Sequence, residues 1–177
     1  MACVDMETAK FVKLTKENYG ALRETIKDGD TIVFSLPRNI KALTIPFALV
    51  IGLVTKSRWY HVGIARWVGS TLCILEARAS GGVGARRLSR RLGGYLVRTN
   101  HMYNKGCDNR ATGQLGDTYG WLDAWATAFG FNPMFEGMHC VEYYKHVFGL
   151  SKKDETNIFE DTPVAVVEWA RNATEVL

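Results

Sequence analysis

The sequence predicts an α+β domain with an antiparallel sheet packed against helices. Three observations lead there. Helix-spaced apolar residues stand towards both ends of the chain, and four short β-type runs cluster between residues 61 and 99. Two of those runs are joined by Gly69-Ser70, a two-residue turn that suits an antiparallel hairpin. The 177 residues fit one domain with its own core, and no repeat, low-complexity tract or linker divides them.

The elements follow in order. Thr15 is placed to cap a helix from Lys16 to Ile26, with Leu14 and Tyr19 spaced for a hydrophobic staple. Residues 1–28 therefore read as an N-terminal helical extension. Lys27-Asp28-Gly29-Asp30 turns into a strand, Thr31 to Leu36, which Pro37 closes. The apolar run Ile40 to Lys56 reads as a helix. Its centre, Ala42 to Val54, is too short to span a bilayer and contains Pro46, so we expect a buried helix and no stable membrane insertion. The hairpin comes next: His61 to Val68, the turn, then Thr71 to Ala77. Val83 to Leu88 and Tyr95 to Thr99 read as further strands. Residues 100–116 are polar and glycine-rich and read as a long loop. Leu122, Trp125, Ala126 and Phe129 recur at helical spacing within Tyr119 to Phe129. The run Met138 to Phe148 is a short helix that Gly149 can end. Thr162-Pro163 opens a last helix reaching about Val176.

Composition narrows the classes. With 47% hydrophobic and 23% charged residues the chain is an ordinary globular one. A net charge of +4 is compatible with an anionic partner without identifying one. The first twenty residues hold no apolar stretch of the secretory kind, so the expectation is a chain that is cytoplasmic as synthesised. Cys3, Cys73, Cys107 and Cys140 form no CxxC pair, and reduced thiols are expected. The spacing of His101, Cys107, His139 and Cys140 matches no familiar zinc pattern; no metal or cofactor is expected.

Two ionisable residues stand in the apolar hairpin. If Val68 pairs with Thr71, Gly63 falls opposite Glu76 and His61 opposite Arg78. His61 and Glu76 are then diagonal neighbours on one face, about 7–8 Å apart along the backbone and within reach of long side chains. Gly63, lacking a side chain, is expected to leave room above Glu76. A carboxylate on one imidazole nitrogen fixes the tautomer and turns the other nitrogen towards a third group. Taken alone, the pair also suits a structural role. Cys140 is the candidate third group. It stands in the first turn of a helix, where the dipole and free N–H groups favour a thiolate and offer an oxyanion hole. Thiolate, imidazolium and carboxylate together make the arrangement for covalent acyl transfer. A lone cysteine in an apolar helix equally suits packing. His101, His139 and His146 are alternative bases. In helix geometry His139 would point about 100° away from Cys140, which favours His61.

The segment Gly84 to Gly94 places Arg86, Arg87, Arg90 and Arg91 within six positions. They read either as a site for an anionic ligand (a carboxylate, a lipid phosphate or nucleic acid) or as a solvated face. The preceding Ser80-Gly-Gly-Val-Gly84 lacks the Gly-Lys-Ser/Thr ending and following helix of a phosphate loop.

These residues carry a resemblance. The chain resembles the circularly permuted branch of the NlpC/P60 papain-like cysteine hydrolases, the YiiX/YaeF-like group. That group shows a G-D strand ending in phenylalanine, an S-x-W/Y-x-H-V-G-I/V segment, an E-A strand and a late C-S/T-E-L helix. Here they read Gly29 to Phe34, Ser57 to Ile64, Leu75-Glu76-Ala77 and Cys140-Val141-Glu142, in that order. Thr118 to Trp125 resembles the family segment before the nucleophile, and Thr162-Pro163 its terminal T-P. The resemblance implies one permuted papain-like domain over residues 1–177, with Cys140 as nucleophile, His61 as base and Glu76 orienting the histidine. It implies a peptidase or amidase acting on a peptide or acyl-amide substrate, often in peptidoglycan. Related permuted folds handle lipid acyl groups, and a non-catalytic module binding an anionic ligand is the third alternative. Val141 stands where the family has a small hydroxyl residue, and His139 where it has an aromatic one. Oligomeric state is not implied.

Overall fold

The computed structural model describes residues 11–36, 58–98, 103–120, 138–150, 163, 166 and 167. Within them six strands form one sheet in the order β1-β6-β2-β3-β4-β5, every neighbouring pair antiparallel. The strands are β1 (Val12–Lys13), β2 (Thr31–Ser35), β3 (Trp59–Val68), β4 (Thr71–Arg78), β5 (Gly82–Arg87) and β6 (Tyr95–Val97). The helices are α1 (Tyr19–Arg23), α2 (Lys105–Gly113) and α3 (Cys140–Phe148). The mixed architecture with an antiparallel sheet is the one the sequence predicts. Among the described residues no helix is long and apolar enough to cross a membrane.

The hairpin fixes the register. Gly69 adopts φ 57°, the left-handed conformation that a two-residue turn requires, and Val68 pairs with Thr71 as the turn dictates. Alternation then divides the strands between two cores. Val33, Val62, Ile64, Leu75, Ala77, Val83 and Val97 pack with α2 and α3, and Val166 and Val167 join them. Ile32, Phe34, Ala65, Leu72, Ile74 and Leu96 pack with α1 and Leu14. Burial on both faces explains why β3 and β4 read as nearly continuous apolar runs.

Several expectations are corrected. The first helix is shorter than Lys16 to Ile26. Asn18 occupies the N-cap, and Thr15 and Asn18 bond one another, the Thr15 N–H donating to Asn18 Oδ1 at 2.8 Å. Residues 100–116 are not one long loop, because α2 runs through them. Asn104 caps it by accepting from the Cys107 N–H at 3.0 Å. Only Cys107 and Ala111 of α2 are buried, one turn apart, too faint a signal to mark a helix. The two-residue β1 was not foreseen at all. The expected helices at Ile40 to Lys56 and Tyr119 to Phe129 lie outside the described residues, apart from Tyr119 and Gly120, which are not helical. Most of the last helix lies outside them too; Pro163, Val166 and Val167 are helical.

Gly63 does not open space above Glu76. A Cβ there would stand 2.7 Å from Ile74 Cγ1 and Cδ1 and 3.0 Å from the Leu75 carbonyl oxygen. The glycine is needed because Ile74 fills the position from the neighbouring strand. Gly63→Ala should therefore cost about 1–3 kcal/mol through overpacking of a two-sided core. Urea unfolding of the variant against the parent checks this.

Candidate active site

The site is assembled by α3 and the β3–β4 hairpin. Helix α3 buries Val141, Tyr143, Tyr144 and Val147 against the sheet. The Tyr144 hydroxyl and Thr31 Oγ1 of β2 are 2.6 Å apart, and the Tyr143 hydroxyl donates to the Ala111 carbonyl of α2 at 3.2 Å. Arg110 of α2 donates from Nε to the Val147 carbonyl at 2.9 Å. These bonds fix both the depth and the rotation of α3. Gly149, at φ 68°, ends it with the left-handed cap the sequence signals.

Cys140 is the first residue of α3 and is 5% exposed. His139 is the N-cap. Its Nδ1 accepts from the Glu142 N–H at 3.4 Å, while Glu142 Oε2 accepts from the His139 N–H at 3.2 Å. This reciprocal capping box corrects the reason for setting His139 aside. The residue is extended, φ −90° and ψ 171°, so helical spacing does not govern its side chain. Its imidazole reaches the Cys140 thiol. It thus stands as a second imidazole beside the thiol. The signal that could have shown this is Glu142, three residues after the cap.

His61 and Glu76 meet as the register predicts. His61 Nε2 and Glu76 Oε2 are 2.7 Å apart, with His61 7% and Glu76 0% exposed. The ladder irregularity between Phe34 and Ser35 lies beside His61 and inserts Tyr60 as an extra residue. Trp59 consequently joins the core on the α3 side, and the His61 ring touches both cores. It lies 5.5 Å from the Phe34 ring, and Nδ1 remains for interaction with the Cys140 thiol once Nε2 holds Glu76.

Electrostatics follow from these contacts. Burial by itself pushes the Cys140 thiol up, but hydrogen bonds to His139 and His61, with their charges, together bring it down to about 6. Burial by itself pushes the His61 imidazole down, but Cys140 and Glu76 together raise it to about 9. Burial raises the Glu76 carboxyl, and the bond to His61 with the charges of His61, Arg91 and Arg78 lowers it below the usual range. Tyr119 is raised, first by its own burial and then by the nearby Cys140 and Glu142. Its phenol therefore stays protonated. Sequence reasoning assigned Tyr119 no role.

Arg91 clamps the pair from behind. Its Nε donates to Glu76 at 3.3 Å and 3.4 Å, and its guanidinium lies 4.3 Å over the Phe34 ring, which itself flanks His61. The arginine cluster read from the sequence is thereby divided. Arg86 and Arg91 turn towards Glu76, Arg87 and Arg90 are exposed, and Arg78, which had not been grouped with them, also approaches the carboxylate.

A scan of protein-family models finds no match to this chain, and a search of curated proteins finds none either. The reading of the site rests on its own geometry. Among the described residues no three His, Cys, Asp or Glu side chains gather as metal ligands. His101 lies outside the described residues, and His146, on the last turn of α3, is the better part of two turns beyond Cys140.

Cysteine reactivity tests the arrangement. Alkylation of Cys140 by iodoacetamide should rise through about pH 6, where the thiolate forms opposite a still-protonated His61. In His61→Ala the midpoint should move up towards the ordinary thiol value of about 8.5. Cys73 and Cys107 are buried and should stay unmodified in the folded protein, although Cys107 had been expected in an accessible loop. Peptide mapping by mass spectrometry at stepped pH reads all three sites.

Proposed function

We propose that this chain is a thiol hydrolase of amide bonds, working through an acyl-enzyme on Cys140 with His61 as base and Glu76 orienting it. The observation that carries the reading is the buried line from thiol to imidazole to carboxylate, with the first group pushed towards thiolate and the second towards imidazolium. A purely structural His–Glu pair has no need of a cysteine at a helix N-terminus beside it. The ordered motifs that resemble the circularly permuted NlpC/P60 papain-like hydrolases support the same roles, and a peptidase or amidase is the class they favour.

The Cys140 thiolate attacks the carbonyl carbon and a C–S bond forms. The oxyanion is stabilised by the N–H groups of Cys140 and Val141, which have no intrahelical acceptor. His61 gives its proton to the nitrogen, the C–N bond breaks and the amine leaves. Neutral His61 then takes a proton from water, whose oxygen attacks the thioester. The C–S bond breaks, the carboxylic acid departs and the thiolate–imidazolium pair is restored. Activity should accordingly span a window from about pH 6 to about pH 9, bounded by Cys140 protonation below and His61 deprotonation above.

Intact mass spectrometry after mixing with an activated acyl ester tests the proposal. An adduct of one acyl group on Cys140, absent from Cys140→Ala, is the expected result. Turnover of acyl-amide peptides should fall about 10³-fold or more in Cys140→Ala and His61→Ala, and less in Glu76→Gln, which keeps a hydrogen bond to the ring but loses the charge. No adduct on Cys140 with any donor, in a folded protein, would overturn the enzyme reading in favour of a binding module.

A further inference from the structure

Glu76 is one carboxylate shared among four cations. His61 takes Oε2, Arg91 Nε spans both oxygens, and Arg86 Nη1 and Arg78 Nε stand 3.9 Å and 4.0 Å from Oε1. Among the described residues no other carboxylate comes within ion-pair distance of these three guanidiniums. Around Glu76 itself, three guanidiniums against one carboxylate leave two positive charges in excess, the imidazolium being matched by the thiolate.

The outer two arginines are incompletely used. Their separations from Glu76 suit an ion pair but exceed hydrogen-bond length. Arg86 spends two donors on the Gly81 and Gly84 carbonyls, at 3.1 Å and 3.5 Å, and the Arg78 side chain makes no hydrogen bond among the described residues. Their side chains are 26% and 34% exposed, so their remaining donors are open to solvent. The backbone is shaped to hold Arg86 there. Gly84 pairs directly with Glu76, and a Cβ on Gly81 or Gly84 would stand 3.3 Å from the guanidinium. Anchoring Glu76 needs one guanidinium, and Arg91 supplies it.

We propose that Arg78 and Arg86, with the outer edge of Arg91, form a subsite for a carboxylate or phosphate group, so that the acyl compound processed at Cys140 is an anion. The guanidinium fork matches both groups, and partial burial strengthens the attraction over that of a surface charge. The substrate class proposed here rests on the reading of Cys140 as nucleophile; the subsite itself does not. Arg87 and Arg90, exposed on the same segment, lie outside it.

Two readouts test the subsite. The first is the ratio of Cys140 alkylation rates with iodoacetate and iodoacetamide at low salt, which cancels changes in the thiolate common to both reagents. The ratio should fall about fivefold or more in Arg78→Gln/Arg86→Gln, stay close to the parent's in Arg78→Lys/Arg86→Lys, and be unchanged in Arg87→Gln/Arg90→Gln. The second is the rise in Tm on adding inorganic phosphate or acetate, which does not depend on Cys140. It should disappear in Arg78→Gln/Arg86→Gln and persist in Arg87→Gln/Arg90→Gln; a larger rise with phosphate or with acetate says which anion is preferred. If the double glutamine variant does not fold, Arg78→Gln and Arg86→Gln singly should each show part of both losses. Retention of the phosphate and acetate shifts in Arg78→Gln/Arg86→Gln, or equal loss in Arg87→Gln/Arg90→Gln, overturns the subsite. Expected shifts alongside a Cys140 no more reactive at pH 6 than an ordinary thiol would keep the subsite and overturn the nucleophile instead.

Discussion

The hydrogen bond between His61 and Glu76 is the contact on which the site depends. A carboxylate removed from water is costly unless its oxygens are bonded and its charge is balanced. Here one oxygen holds the imidazole and both accept from Arg91, so the charge is compensated within the protein. The imidazole in turn stays protonated, which makes a thiolate at Cys140 favourable in a buried position that would otherwise suppress it. Each group is held in its charged form by the next. Loss of Glu76 would leave several cations facing one another without a buried anion, so its removal acts on stability as well as on orientation.

Helix α3 supplies the other half of the arrangement. Its position is set far from the thiol, by the bonds from Tyr144 to Thr31 and from Arg110 to Val147. Helix α2, which brings Arg110, is itself tied to the hairpin. Arg66 of β3 donates from Nε and Nη2 to both oxygens of Asp108, and from Nη1 to Asp28 at 2.9 Å. The strand that carries His61 thus also anchors the helix pair that carries Cys140. Rigid support on both sides keeps reacting groups at fixed separation.

The hairpin was legible in the sequence because its turn admits one register, and with register fixed the diagonal from His61 to Glu76 follows by counting. The end of α3 was legible from Gly149 and Cys140 was placed in its first turn, but the start was read two residues early, at Met138, whereas the helix begins at Cys140. What escaped reading has physical causes. Helix α2 is polar on most of its surface and buries two small side chains, so its strongest mark is the cap at Asn104. His139 was misjudged because an N-cap residue is not helical, and spacing rules do not apply to it. The room beside Glu76 was assigned to the wrong glycine. Gly63 admits Ile74 from β4, whereas Gly84 on β5 admits the Arg86 guanidinium, and choosing between them requires knowing how the third strand pairs.

Among the described residues the sheet ends on β1 and β5, and both strands discourage further pairing. At one end β1 offers only two residues of backbone, too short a template for another chain to pair along. At the other end β5 reads Gly-Val-Gly-Ala-Arg-Arg. An incoming copy of the same strand laid antiparallel would set arginines near glycines lacking any side chain to pack against, and would bring two cationic segments together. That edge is also partly covered, because the Val83 N–H donates to the Asp117 carbonyl at 2.9 Å and the Gly116 N–H to the Val83 carbonyl at 3.0 Å; the 116–117 segment caps its glycine end while the arginines mark the other.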